Sequence, residues 1–211
     1  APPTSCGMSG SVALTCERAG VQHTALLSQL FEAAGSGCFC NYWHFEGDKN
    51  AWLETCFLHP ERNRAALQAR LAKPDLCGVV AYGATPGELI GWLKVTRASS
   101  VPRLYDQRVY RNLACFEPEN ADRSQVYAVG CCYVSEPHRR SGVARQLLQA
   151  AVHAVLAAGG SALEAFPRAV PEAETLRADE MLMGPETLFL EAGFGRVSDF
   201  RPYPVLRLPL S

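Results

Sequence analysis

The sequence predicts an α+β fold: one mixed, mostly antiparallel twisted sheet flanked by helices. Two observations carry that expectation. Residues 77–82 and 89–95 are short apolar runs on either side of Gly83-Ala-Thr-Pro-Gly87, the signature of an antiparallel hairpin. Residues 126–134 form a β-prone apolar run long enough for a central strand. That run leads into a helical pattern and then a second short strand at 162–166. No internal repeat competes with this order, so an antiparallel first half is followed by strand–helix–strand–helix–strand.

Taken in order, residues 1–10 are rich in Gly, Pro and Ser and read as a flexible tail. A first strand is expected over 11–16. Leu26, Leu27, Leu30 and Phe31 recur at helical spacing within 21–34, a helix that Gly35 ends. After an aromatic and cysteine-rich patch at 38–45 and a polar stretch, Ala65, Leu67 and Leu71 mark a second helix over 61–73, stopped before Pro74. The connection 97–125 carries Pro102, Asn112, Pro118 and Asn120 without a sustained period, and its length points to function or mobility. Val143, Leu147, Ala151 and Val155 share one face of a helix that Gly159-Gly160 closes. Residues 186–192 form a short helix before Gly193, and 205–210 a terminal edge strand where Pro209 is tolerable.

Composition narrows the function. The 211 residues are 48% hydrophobic and 19% charged, enough for a substantial core. A net charge of −1 gives no electrostatic case for nucleic acid or an anionic membrane as partner. No apolar run approaches the roughly 20 residues that span a bilayer. The first residues lack the basic start and apolar stretch of a signal peptide. Nine irregularly spaced cysteines, several inside apolar segments, read as reduced buried thiols. The expected location is therefore the cytoplasm.

The chemistry concentrates in residues 134–148, Val-Ser-Glu-Pro-His-Arg-Arg-Ser-Gly-Val-Ala-Arg-Gln-Leu-Leu. A strand ends, a short glycine-containing loop turns, and a helix begins at once. The first N–H groups of such a helix lack intrahelical partners, and with the helix dipole they form an anion site. Gly142 lets the backbone approach a phosphate without a Cβ in the way, Ala144 keeps the helix start small, and Arg139, Arg140 and Arg145 add charge. A glycine before a helix is also compatible with a plain turn. Neither the Gly-x4-Gly-Lys-Ser/Thr nor the Gly-x-Gly-x-x-Gly pattern is present.

Arg139-x-x-Gly142-x-Ala144, between an apolar strand and Leu147-Leu148, resembles the Arg/Gln-x-x-Gly-x-Gly/Ala signature of GNAT-superfamily N-acetyltransferases. Leu163-Glu-Ala-Phe-Pro167 resembles that family's fifth strand, residues 188–194 its short helix ending in Gly-Phe, and Leu89-Ile-Gly-Trp92 its third strand. The resemblance covers residues 76–210, and less of the segment from Val21. It implies a single GNAT domain over 11–211, with acceptor-side helices in 11–75 and a cofactor-binding core in 76–211. It further implies that acetyl-CoA is bound and its acetyl group passed directly to an amine, a small molecule or a protein, and that a homodimer is possible. The backbone at Cys132, Tyr133 and Val134 would pair with the pantetheine amides in a splay beside the next strand. The N–H groups of Arg139, Arg140, Ser141, Gly142, Val143 and Ala144, with Arg145, would hold the pyrophosphate. The helix carrying Phe189 would cover the thiol end.

Acyl transfer needs a neutral amine, and a lysine-like amine of pKa about 10.4 is neutral in only about one molecule in a few thousand at pH 7. A general base is therefore useful. The family often takes it from a carboxylate on the fourth or fifth strand. Residues 126–134 contain none, leaving Glu164, Glu136, Glu117 and Glu119, of which the last three also fit solvated loop positions. Phe189 stands where the family often has a tyrosine acid. Tyr133 or Tyr203 would substitute, or the thiolate, of pKa about 8.5, would leave unaided.

Cys131-Cys132 as a covalent nucleophile competes with its reading as small buried hydrophobes. Cys38, Cys40, His44, Cys56 and His59 gather five potential zinc ligands, but Cys-x-Cys is tighter than the usual spacing, and Phe39, Tyr42, Trp43 and Phe45 interleave. An aromatic wall is the expectation, with no metal. Tyr42 and Trp43 would then shape the acceptor site, and the loop 103–120 with Tyr105 and Tyr110 would close over it. Two rivals stand beside the enzyme: a degenerate acyl-CoA sensor, and a metal-binding interaction protein built on the cysteine–histidine cluster.

Overall fold

A computed structural model describes residues 14–116, 123–169 and 182–211. The expected tail, most of the expected first strand, and Glu117 and Glu119 lie outside the described residues. Seven strands make one sheet in the order β1-β2-β3-β4-β5-β7-β6. They are β1 (Cys16–Arg18), β2 (Gly78–Tyr82), β3 (Leu89–Arg97), β4 (Val126–Val134), β5 (Ala162–Ala165), β6 (Gly195–Ser198) and β7 (Val205–Pro209). The hairpin pairs Val80 with Trp92, and every described pairing is antiparallel except β4 with β5.

One sheet face is covered by α5 (Val143–Ala157) and α6 (Glu186–Glu191). The stripe Val143, Leu147, Ala151 and Val155 packs there on Val79, Leu93, Val129 and Leu163. The other face carries α1 (Thr24–Ala33) and α3 (Pro60–Leu71), whose Leu27, Phe31 and Leu67 pack on Val80 and Trp92. Beside them, α4 (Pro102–Tyr105) and a 3-10 turn (Tyr42–His44) cover Ala128, Phe166 and Val205.

Three expectations change. The segment 205–210 is not an edge strand: β7 lies between β5 and β6, and Pro209 closes it opposite Ala162. The true edge, β6, was invisible because Gly-Arg-Val-Ser has one apolar residue and takes its form from pairing with β7. The polar stretch before Pro60 is helix α2 (Lys49–Leu58), started by the Asp48 carboxylate accepting from the Ala51 N–H at 2.9 Å. Its pattern hid it, since Leu53, Phe57 and Leu58 are exposed. The described part of the long connection is built from short turns, tied down by the Arg103 guanidinium donating to the carbonyls of Phe45 at 2.7 Å and Gly47 at 2.8 Å.

Candidate functional site

The site forms where β4 loses its parallel neighbour. β4 pairs with β5 only at Val126–Ala128, while its pairing with β3 continues to Val134 opposite Gly91. Between the pairs Lys94–Cys131 and Val95–Val129, Gly130 is an extra residue, a β-bulge of the kind that re-aims side chains beside functional sites. The Trp43 indole N–H donates to the Gly130 carbonyl at 2.8 Å. A Cβ at Gly130 would sit 3.2 Å from both Trp43 and Lys94, so a larger residue would push one of these side chains aside by a few tenths of an ångström.

Past the bulge, Cys132 and Val134 face α5 while Tyr133 faces α1, tilted against Phe31 with ring centroids 6.3 Å apart. Burial pushes the Cys132 thiol up to about 12, which leaves it protonated and a poor nucleophile at neutral pH. The Cys132 N–H, on the side where β5 has turned away, donates to the Leu182 carbonyl at 2.7 Å. Nothing in the sequence signalled that contact.

Beyond Val134, a 3-10 turn (Glu136–His138) delivers the chain to α5. Gly142 is the N-cap, with φ 86° and ψ 0°, a left-handed conformation costing a non-glycine residue about 1–2 kcal/mol. No side chain caps this end: the Ser141 hydroxyl donates to the His138 carbonyl at 2.6 Å instead. The first helical bond runs from Gln146 N–H to the Gly142 carbonyl, so the N–H groups of Val143, Ala144 and Arg145 precede the ladder. Among the described residues, nothing stands within 4 Å of where a Gly142 Cβ would be. Uncapped donors, open space and the positive end of a 15-residue helix fit a pyrophosphate. Arg139 and Arg140 are exposed there, whereas Arg145 is ion-paired with Glu191. Glu136 is exposed at the mouth of the turn. Phe189 is fully buried, edge-on to Phe194 at 5.4 Å and backing Gly184.

The residues expected to shape an acceptor site, Tyr42, Trp43 and Tyr105, come together on the other face. Tyr42 and Trp43 are in edge contact at 4.6 Å, and the Arg103 guanidinium lies 4.7 Å from the Tyr42 ring. Tyr105 packs edge-on to Phe166 at 5.4 Å and donates its hydroxyl to Glu164 at 2.6 Å. Glu164 is fully buried on β5, and its oxygens also accept from Arg123 at 3.0 and 2.8 Å and from Arg207 at 2.9 and 2.7 Å. Burial first, and then the Glu164 carboxylate, raises the Tyr105 hydroxyl well above its usual range. Sequence reading found Glu164 but not its two arginines, which lie 41 and 43 residues away along the chain.

The cysteine–histidine cluster does not converge. Cys38 and Cys40 lie close together and Cys56 touches Asn63, but His59 caps α3 beside Glu61, and His44 opens onto a separate cavity. Among the described residues, no group of three or more His, Cys, Asp or Glu could hold a metal ion. All eight described cysteines are free. No described helix is long and apolar enough to cross a membrane.

Comparison with known proteins agrees with this geometry. Residues 48–175 match the sequence model of the acetyltransferase (GNAT) family. No curated protein sequence matches the chain. Among solved structures, it is similar to the PaiA N-acetyltransferase of Thermoplasma acidophilum, crystallised with coenzyme A. That match has a TM-score of 0.51 and 10% identity, over 94% of this chain and 100% of that one. YncA of Salmonella typhimurium, a putative acetyltransferase solved with acetyl-CoA, gives a TM-score of 0.52 and 13% identity, over 94% and 95%. A GNAT-family acetyltransferase from Streptococcus pneumoniae gives 0.52 and 15%, over 94% and 100%.

Proposed function

This chain belongs to the acetyltransferase (GNAT) family, and on that footing we propose that it transfers an acetyl group from acetyl-CoA to a primary amine. The observation that carries the reading is the uncapped N-terminus of α5, placed directly after a strand that has lost its parallel partner. Bound there, the cosubstrate supplies an acetyl thioester. The N–H groups at Gly142, Val143, Ala144 and Arg145, with Arg139 and Arg140, hold its pyrophosphate. The backbone at Cys132, Tyr133 and Val134 lines its pantetheine arm, which takes the place of the Leu182 carbonyl on the Cys132 N–H. Trp43, Tyr42 and Tyr105 wall the acceptor side.

The amine nitrogen bonds to the acyl carbon, the carbon–sulfur bond breaks, and coenzyme A departs as a thiolate that needs no strong acid at pKa about 8.5. Glu164 suits a positioning role better than that of base, because its oxygens already accept from two guanidiniums and a phenol. Glu136 reaches water at the mouth of the turn, and Tyr133 is the hydroxyl on the open part of β4, so these two are the residues assigned to proton transfer. The free thiols among the described cysteines support a reducing compartment, the cytoplasm, as the expected location.

A second reading, an acyl-CoA sensor without turnover, draws on the buried Phe189, which has no proton to give, and on the committed Glu164 carboxylate. Calorimetric titration with acetyl-CoA, followed by thiol-release assays over a panel of polyamines, amino acids, aminoglycosides and lysine peptides, separates them. Micromolar binding with turnover of one amine class supports the enzyme. Binding with no turnover on any supports the sensor, and a folded protein that does not bind acetyl-CoA sinks both.

A further inference from the structure

A second polar site lies at the far end of β3. Gly91 meets the open end of β4, whereas Thr96 and Arg97 sit about six residues away, roughly 20 Å along the strand. There, between the C-terminal end of α3 and the start of β2, is a cavity of about 270 Å³ lined by His44, Arg70, Lys73, Asp75, Thr96 and Ser100, among others. Its volume is close to the lower end, about 300 Å³, of small-molecule sites.

Three buried polar atoms around this cavity have no hydrogen-bond partner among the described residues: Arg70 Nε, Thr96 Oγ1 and His44 Nε2. Thr96 is only 5% exposed. Buried polar groups are nearly always hydrogen-bonded, so unmatched atoms around one cavity point to a polar occupant there, whether ordered water or a ligand. Arg70 Nε–H always donates and the threonine hydroxyl can do so by rotation, whereas the neutral His44 ring has a single proton and already makes a hydrogen bond with the Ser100 backbone.

The charges agree. Arg70 and Lys73 line the cavity, and Lys94, 1% exposed, stands behind it with its ammonium on the Cys40 carbonyl. Among the described residues none of the three cations has a carboxylate partner in an ion pair. The Arg70 guanidinium also donates to Asn41 Oδ1, and that of Arg97, at the cavity edge, donates to the Ser124 carbonyl and lies over Tyr127. Against the three cations stand Asp75 and the negative end of α3, worth about half a charge. Burial, followed by the charges of Lys94 and Arg70, holds His44 down to about 3, so its ring is neutral. Burial likewise lowers Arg70 and brings Lys94 down to about 8. Among the described residues, positive charge here outweighs the one lining carboxylate, Asp75.

We propose that this cavity binds a small metabolite through a phosphoryl or carboxylate group held by Arg70, Lys73 and Thr96, at a site separate from the N-terminus of α5. The proposal does not depend on the acetyl-transfer reading, since it rests on other residues. The test is a ¹H–¹⁵N titration of the full chain with inorganic phosphate and, separately, with succinate, at ionic strength held constant with sodium chloride. Saturable shifts of the Arg70 Nε–H and of the Thr96 and Ser100 amides, at low-millimolar concentrations or below, are expected with at least one anion. The anion that saturates identifies the group as phosphoryl or carboxylate. Lys73→Glu, at an exposed position that leaves the fold intact, should weaken the response at least tenfold, and Thr96→Val should weaken it too. Shifts that stay linear, persist unchanged in both variants, or are confined to residues 139–145 overturn the site.

Discussion

Gly142 offers the sharpest test of the acetyl-CoA reading, because two substitutions there separate conformation from charge. Its φ of 86° costs any replacement about 1–2 kcal/mol of folding stability, least for Asn and Asp, which tolerate the left-handed region. In a chain of this size, each 1 kcal/mol lowers Tm by about 2–4 °C. The space beside Gly142 is open, so neither side chain strikes the protein, and any steric effect falls on the ligand. Gly142→Asn and Gly142→Asp have nearly the same shape and the same backbone cost, so their difference in acetyl-CoA affinity isolates one negative charge. A unit charge beside a phosphate charge at contact costs about 1 kcal/mol in water and about 4 kcal/mol at the effective dielectric of a protein surface. Gly142 is exposed, which favours the lower part of that range. Gly142→Asp should therefore bind acetyl-CoA about ten- to a hundredfold more weakly than Gly142→Asn. Calorimetry at matched ionic strength, with thermal unfolding as the folding control, reads this directly. Two folded variants with dissociation constants within twofold of each other would refute the placement of the pyrophosphate.

Three further outcomes follow from the same geometry. Glu164→Gln leaves Arg123 and Arg207 facing each other without the buried carboxylate between them, so it should cost about 3 kcal/mol and lower Tm by about 6–12 °C; a collapse of kcat at unchanged Tm would make Glu164 the base instead. Lys94, lowered to about 8 mainly by burial, binds fewer protons folded than unfolded between pH 8 and its ordinary value near 10.5, so its burial penalty is full below pH 8 and fades as pH rises. The stability of Lys94→Met relative to the parent should accordingly decline by a few kcal/mol across that window, and parallel denaturation curves at pH 7 and pH 10 would contradict the assignment. Trp43→Ala, which removes the indole from Gly130, should raise the KM for the amine several-fold while leaving acetyl-CoA binding within twofold, and equal loss on both substrates would place Trp43 elsewhere.

The parts of the fold visible in the sequence are those whose own pattern matches their environment. The span 126–134 is apolar throughout because both faces of β4 are covered, and it emerges with the expected boundaries. The stripe of α5 was readable for the same reason. What stayed hidden takes its form from a partner: β6 from β7, α2 from its place against α3, and β7's interior position from the four residues of β6. A one-residue bulge such as Gly130 leaves no periodic trace, since it appears only when Val95 is matched to Val129 and Lys94 to Cys131.

The two sites differ in legibility for a related reason. The α5 terminus is made of consecutive residues, so its donors can be listed from the loop that precedes the helix. The polar groups that distinguish the rest are assembled across the sheet. Glu164 on an apolar strand invites a catalytic reading only while its partners are unknown, because an unpaired carboxylate there would be too costly to bury. Arg123 and Arg207 supply those partners, and with them in place Glu164 also accepts from the hydroxyl of Tyr105, whose ring packs edge-on to Phe166. Lys94 poses the same question in reverse. It is the lone charge within the apolar run 89–95, and its polar partners are a carbonyl and thiols rather than a carboxylate. A strand that keeps such a lysine against the cost of burial, beside a cavity with unmatched donors, is arranged for an anion that the described residues do not supply.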